Sequence, residues 1–504
     1  MKKARVLLIS PNLKGMNDGI NRVQPSLGLM LIGQMLEDCG HVVKIHDTGL
    51  EGWNNKKLID PKKNKVQIGQ SDEDIEKVIS NFFPDVVAIS VLFSNFLDSA
   101  HNIARLAKKV NKNIKVVLGG NHISNSVIDY NFSLIDKNSN LPGKIEDLEN
   151  ENIDFAIKGE GEMPMVKLVE AIINDGDINK VSGLVRKIGQ KRYFINSKLE
   201  KHNLNLLPRP ARHLVNMEGY FKIGAFQSAK ARSNRVLSVQ CSRGCPEKCT
   251  FCTTPQMWGT KVRWRSSEHI MNEIINDTRD YKIGEIQFLD DTLTAHKKNL
   301  YSLCTELEKL GIPWCTPNGT KVNYHLKDQL DMYKKMSDSG CYQITLACES
   351  GVQRVLNNLI NKRLELEAVY PAIENAKKAG MLAHTFWILG YPGETYEEMK
   401  KTIDFAMNSG ADSFSFAILS PLPGTPIYRK VIKENLWWNS RSMDDMSHRS
   451  SLIKVDGFAG PDEFEKFVNE TNIKANLLLK DRDPKRFEYK YGANAEDHNF
   501  QRQT

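Results

Sequence analysis

The chain has 504 residues, 40% hydrophobic and 26% charged, the balance of a globular protein with room for two or three cores. Its net charge of +8 comes from lysines spread along the chain, with no dense basic run interleaved with aromatics, so a nucleic-acid surface is not expected. No stretch approaches the roughly 18 apolar residues of a membrane span, and the run Val6–Ile9 is too short for a signal-peptide core, so a cytoplasmic location is expected.

The predicted elements open with strands at Arg5–Ser10, Val42–Asp47, Val86–Ser90, Lys115–Gly120 and Phe155–Lys158, with helices such as Ser26–Cys39 and Leu97–Val110 between them. This alternation predicts an α/β, doubly wound, Rossmann-like parallel sheet over residues 1–176. Ligands of such sheets sit beyond the carboxyl ends of the strands. The loops there, SPNLKG, SVLFSN, GGNH and GEGE, are rich in small residues and predict a ligand edge. No G-x-G-x-x-G follows the first strand, so a dinucleotide fingerprint is missing. Residues 177–225 lose the alternation, and LLPRPARHL (Leu206–Leu214) reads as part of an interdomain connector. Strands return at Val236–Gln240, Glu285–Leu289, Pro313–Thr316, Gln343–Ala347, Ala383–Leu389 and Phe414–Leu419, each but the last followed by a helical stretch. About six βα units over residues 226–430 predict a partial barrel, short of the eight that close one. Residues 431–504 are polar and partly helical and are expected to cap the barrel.

Directly after the first barrel strand stands CSRGCPEKCTFC, Cys241–Cys252, with four of the nine cysteines. In a reducing compartment such a cluster means metal or redox chemistry. The tightest set, Cys245, Cys249 and Cys252, has C-x3-C-x2-C spacing. Three thiolates can hold three irons of a 4Fe-4S cluster and leave the fourth iron open. The alternative is a structural zinc with Cys241 as fourth ligand, but structural zinc takes two cysteine pairs separated by a longer gap. Cys241 reads instead as a buried, inert thiol at a strand end.

CPEKCTFC resembles the signature of the radical S-adenosylmethionine (SAM) superfamily, with Phe251 as the aromatic before the last cysteine. TTPQMWGTKVRWRS, FLDDT (Phe288–Thr292), ACESG (Ala347–Gly351), ILGYPGET (Ile388–Thr395) and SPLPGTPIY (Ser420–Tyr428) are similar to the branch carrying an N-terminal cobalamin-binding domain. So are PSLGLMLIGQMLEDCGHVV, LGGNHIS and KGEGE in the first domain, and the resemblance spans roughly residues 1–430. It implies a 4Fe-4S cluster on Cys245, Cys249 and Cys252, with SAM at Phe251, Asp290, Asp291, Glu349, Ser350, Gly390 and Gly393. For Asp291 and Ser350, helix capping is an alternative role. It implies cobalamin at Asn12, Pro25, Ser26, Leu27, Ser90, Ser94, Gly119, Gly120, His122, Gly159, Glu160, Gly161 and Glu162. The D-x-H-x-x-G motif that supplies a histidine to cobalt is absent, so no protein histidine is expected below the cobalt, and His122 reads as a loop hydrogen-bonder.

The function implied is methyl transfer from methylcobalamin to an unactivated sp3 carbon, or phosphorus, of a small metabolite by way of a 5'-deoxyadenosyl radical. A rearrangement or oxidative cyclisation without methyl transfer is the alternative. A methylthiotransferase would need three further cysteines in the first domain, which holds only Cys39. The expected partners are a small-molecule substrate and an external electron donor of the flavodoxin or ferredoxin type, with the chain a monomer. No motif identifies the substrate. Tyr428, Trp437, Trp438 and His384 either line its pocket or serve in packing.

Overall fold

The computed structural model describes residues 2–17, 21–224, 226–228, 231–482 and 484. The chain forms two compact units. The first comprises residues 1–223 together with 422–435 and 441–445, and the second comprises the remainder.

The first unit is built on seven strands: β1 (Arg5–Ser10), β2 (Val42–Asp47), β3 (Val86–Ser90), β4 (Lys115–Gly119), β5 (Phe155–Ile157), β6 (Leu184–Gly189) and β7 (Arg192–Ile195). Their order is β7-β6-β5-β4-β3-β1-β2. Strands β1 to β5 pair in parallel, while β6 and β7 add an antiparallel hairpin at one edge. The parallel strands are continuous apolar runs because both faces are covered. Leu7 and Ile9 pack on one side with Val87, Ile89 and Leu118, while Val6 and Leu8 pack on the other with Val86, Ala88 and Val117. The order reverses direction between β1 and β3, and a doubly wound sheet receives its ligand at that switch point.

The hairpin at 184–195 lies inside the stretch read from sequence as connector. Its charged residues, Arg186, Lys187 and Arg192, suit a solvent-facing edge strand and hide the strand signal. The later part of that stretch also folds onto the first unit. The helix Met217–Ile223 brings the Tyr220 hydroxyl to Asp47 Oδ2 (2.7 Å), while Asp47 Oδ1 accepts from the Leu50 N–H (3.0 Å). Burial is the main cause that pushes the Asp47 carboxyl up to about 6. A carboxyl raised in the fold binds more protons folded than unfolded, so its contribution is fully present below the unfolded value and is lost as pH rises through 6. Asp47→Asn removes the titration. Wild-type stability is therefore expected to fall relative to D47N by about 2 kcal/mol between pH 4 and 7, read from urea midpoints across that range.

Residues 422–435 and 441–445 return to the first unit largely through charge. Asp129 accepts from the Gly424 N–H (2.5 Å) and from Arg429 Nη1 (3.0 Å). Asp444 pairs with Lys14 and with Lys65 (2.6 Å), and Asp445 pairs with Lys63 (2.8 Å). Tyr428, on the helix Pro426–Lys433, therefore belongs to this unit.

The second unit holds six parallel strands in sequential order: β8 (Val236–Val239), β9 (Glu285–Phe288), β10 (Trp314–Cys315), β11 (Cys341–Glu349), β12 (Leu382–Leu389) and β13 (Ser413–Ile418). Among the described residues β8 and β13 do not pair, so the sheet is a partial barrel of six βα units. Along β12, Ala383, Thr385, Trp387 and Leu389 are buried beneath helices, with Trp387 against Phe405 of the helix Tyr396–Asn408. His384, Phe386 and Ile388 alternate with them on the half-buried inner face. His384 is fixed there by Ser413 Oγ (2.7 Å). Trp437 and Trp438 bridge in antiparallel fashion to Ile453 and Leu452. The helix Pro461–Arg482 lies along β13, where the Asn472 side chain bonds both the N–H and the C=O of Phe416 (3.0 and 2.9 Å). These bonds cover part of an edge strand that would otherwise be unpaired.

Candidate active site

The cysteine loop leaves the carboxyl end of β8, the end where barrel folds carry their chemistry. Cys249 is buried and Cys245 and Cys252 are half-buried. Burial is the main cause that pushes the Cys245 thiol up to about 11 and the Cys249 thiol up to about 12, and it raises Cys252 too. Without a metal these thiols keep their protons, and a bound metal would have to displace them. Among the described residues, the one set of three His, Cys, Asp or Glu ligand atoms within 4.8 Å of one another is Glu160, Glu162 and His202. Cys241 points elsewhere in the chemistry: it is fully buried, and burial raises its thiol far above the ordinary range.

Glu247, between the first two cysteines, anchors the loop to Lys321 (2.8 Å) and to the Tyr324 hydroxyl (3.0 Å). The sequence reading passed over this acid, although its place inside CPEKC was the available signal. Asp290, after β9, accepts from the Cys241 N–H (3.1 Å) and the Ser242 hydroxyl (2.5 Å), so both its oxygens hold the start of the loop. Asp291 accepts from the Thr254 hydroxyl (2.9 Å) through one oxygen, and its other oxygen is buried without a partner. Burial pushes both carboxyls up to about 6. The buried, unpartnered Asp291 oxygen is the acceptor that an ammonium or ribose hydroxyl would satisfy.

Glu349 ends β11 at a register shift that follows Ala347, and its φ is +67°. The bulge and left-handed turn re-aim the side chain. Its carboxylate meets Lys362 Nζ at 2.8 Å. Ser350 faces Thr402 (3.1 Å) and accepts from the Val352 N–H (3.2 Å) in a local turn. Phe251 meets Tyr391 edge to face, 6.2 Å between centroids. The Tyr391 hydroxyl is buried without a partner beside the cluster cysteines, and sequence reading had singled out only the glycines flanking it. Gly390 and Gly393 have φ of +88° and +94°, and a Cβ on Gly390 would meet the Phe464 ring at 2.8 Å. The first is required by packing as well as by its turn. Glu394 accepts from the Gly390 and Tyr391 N–H groups (2.8 and 3.1 Å) and so fixes the loop.

In the first unit the carboxyl ends of the parallel strands bring Asn12, Ser90, Ser94, Gly119, Gly120, His122 and Gly159–Glu162 to one sheet edge. Asn12 donates to Gln70 O (2.9 Å), while its own Oδ1 is buried without a partner. Leu92 and Phe93, after β3, are half exposed on the same edge. A buried, unsatisfied amide oxygen and exposed apolar side chains at one sheet edge are features that a large ring carrying amide arms would satisfy. Ser26 caps the helix Leu27–Asp38 through a long contact from the Leu29 N–H (3.5 Å). His122 is held at both nitrogens, Nδ1 to Ser94 Oγ (2.7 Å) and Nε2 to Asp147 Oδ1 (2.9 Å). Neither nitrogen is left to ligate a metal. Glu160 and Glu162 are buried, and both are tied into further polar contacts.

These two sites define the class. Residues 239–406 match the radical SAM superfamily and residues 14–131 match the B12 binding domain. The chain belongs to the cobalamin-binding radical SAM enzymes, whose cofactors are a 4Fe-4S cluster, SAM and cobalamin. It is 32% identical over 495 residues to the cytidylyl-2-hydroxyethylphosphonate methyltransferase of Streptomyces wedmorensis, covering 93% of this chain and 89% of that protein. Two solved structures share the fold. The cobalamin-dependent SAM radical enzyme OxsB, with aqua-cobalamin and SAM bound, has a TM-score of 0.69 at 15% identity, over 99% of this chain and 71% of OxsB. The radical SAM methyltransferase TsrM from Kitasatospora setae has a TM-score of 0.66 at 16% identity, over 92% of this chain and 83% of TsrM. No described helix is long and apolar enough to cross a membrane.

Proposed function

We propose that the chain is a methyltransferase that places a methyl group on an unactivated sp3 carbon, or on phosphorus, of a small metabolite. The observation that carries this reading is the pairing of a C-x3-C-x2-C loop with a B12 binding domain in one chain 32% identical to a named methyltransferase. When bound, the cluster and SAM supply a carbon radical, and cobalamin supplies the methyl donor that an unactivated carbon requires.

The chain's own residues bind and orient. Cys245, Cys249 and Cys252 hold the cluster. Asp291 offers its free oxygen to a donor on SAM, Glu349 places a carboxylate beside it, and Phe251 with Tyr391 forms an apolar wall. Asn12, Ser94 and the glycines at 119–120 hold cobalamin. His122 is engaged at both nitrogens and would not be offered to cobalt. Half-buried His384, Phe386 and Ile388 line the inner barrel face that receives substrate. The chain acts as a cytoplasmic monomer and draws electrons from a flavodoxin- or ferredoxin-type donor.

The test is an anaerobic assay of the reconstituted protein with SAM, cobalamin and a strong reductant, following 5'-deoxyadenosine and S-adenosylhomocysteine together. A metabolite panel would begin with a cytidylyl-linked phosphonate, the substrate type named for the Streptomyces relative. The reading expects both products in step with a product one methyl heavier. 5'-Deoxyadenosine without S-adenosylhomocysteine would favour rearrangement or cyclisation and sink methyl transfer.

A further inference from the structure

One short segment backs the cysteine loop from behind. The Thr250 N–H donates to Ile360 O (2.8 Å) and its hydroxyl to Leu359 O (2.7 Å). Asn361 Nδ2 donates to Lys248 O (3.2 Å), and the Arg363 guanidinium to Pro246 O (3.1 Å). The segment is a π-helical turn, Val355–Ile360, a rare conformation that concentrates at functional sites. Asn361 and Arg363 both adopt left-handed φ, +57° and +52°. Between these two turns Lys362 is carried inward until it is 6% exposed.

There Lys362 Nζ meets Glu349 Oε1 at 2.8 Å, with both side chains less than a tenth exposed. Its ammonium is the strongest charge acting on Cys249, ahead of Glu349, and it acts on Cys252 as well. A buried ion pair costs desolvation that its own attraction seldom exceeds, so an apolar pair would hold this fold as well. What an apolar pair would lack is a positive charge near Cys249 and Cys252.

We infer that Lys362 sets the reduction potential of the iron–sulfur cluster on Cys245, Cys249 and Cys252, with Glu349 as the residue that positions it. The inference rests on the three-cysteine reading above. Reduction adds one negative charge to a site that already holds three thiolates in a low-dielectric pocket. A cation fixed nearby stabilises that reduced state and raises the potential.

The test uses anaerobically reconstituted full-length protein: wild type, Lys362→Met, Lys362→Arg and Glu349→Gln. Iron and sulfide content shows which proteins hold the cluster, and a redox titration followed by electron paramagnetic resonance, without SAM, reads the potential. In K362M the ratio of reduced to oxidised cluster at a fixed potential is expected to fall at least tenfold, equivalent to about 59 mV for one electron. K362R is expected to keep the wild-type ratio, and E349Q, which removes the opposing charge, to raise it. An unchanged ratio in K362M overturns the inference. So does weaker SAM binding at an unchanged ratio, which would make Lys362 a ligand for the SAM carboxylate. Should K362M hold no iron, the upward shift in E349Q decides. Loss of iron from both would make the pair a structural support of the loop and overturn the inference too. A wild-type protein that takes up no cluster would instead overturn the three-cysteine reading itself.

Discussion

Cys249→Ala is expected to leave the chain folded, to lower bound iron, and to cut SAM cleavage by at least about a thousandfold, a small part of the acceleration an intact enzyme site supplies. Cys249 is the most buried of the three ligands and the one with Lys362 beside it. Removing its sulfur takes away a ligand that no neighbouring thiol can replace, since Cys241 is committed to the strand end with its N–H on Asp290. The loop itself has other anchors. Glu247 stays on Lys321 and Tyr324, and Thr250 stays on Leu359 and Ile360. The cost to folding is therefore confined to a small cavity, about 1 kcal/mol. Iron and sulfide per chain, the visible absorption of the reconstituted protein and the yield of 5'-deoxyadenosine measure the three effects. Full iron content with intact cleavage would remove the basis of the whole functional reading.

The second large effect falls on the cobalamin edge. Gly120→Val is expected to destabilise the first unit by about 3 kcal/mol or more and to abolish retention of cobalamin through gel filtration. Gly120 has φ +107°, and a Cβ there would meet Val91 O at 2.6 Å and Val91 C at 2.9 Å. That carbonyl accepts from the His122 N–H (3.2 Å), while the Val91 N–H donates to Gly119 O (2.7 Å). The two strand ends are laced together at this point, so a displaced Val91 carries His122, Ser94 and Asp147 with it. Gly119 is the control. Its Cβ would meet nothing within 4 Å and its φ is not left-handed, so Gly119→Ala is expected to melt with the wild type. Equal behaviour of the two variants would count against this account of the edge.

The contrast between these neighbouring glycines shows what sequence can carry. Both stood out as small residues at a strand end, and only coordinates separate the one the fold requires from the one it tolerates. The two sheets were legible because parallel strands buried on both faces leave unbroken apolar runs, such as Val6–Ile9 and Val86–Ile89. The hairpin at 184–195 was not, since an exposed edge is written in charged residues. The cluster ligands were legible because they are close in sequence. Their electrostatic neighbours were not: Glu349 and Lys362 converge only through a bulge and two left-handed turns. Neither was the partnership of Ser94, His122 and Asp147, which is assembled from three separate helical segments. The return of residues 422–435 was hidden for the same reason, because Asp129 and Arg429 are 300 positions apart.

That returning stretch bears on how such chains can be cut and recombined. A polypeptide severed after the first unit's main run would leave Asp129 and Lys65 without their counter-ions, since Arg429 and Asp444 lie beyond the break. The B12 binding region is thus not a cassette that ends where its sheet ends. Whatever is grafted, exchanged or inherited as a module here must include a piece of chain written two hundred residues downstream of that sheet.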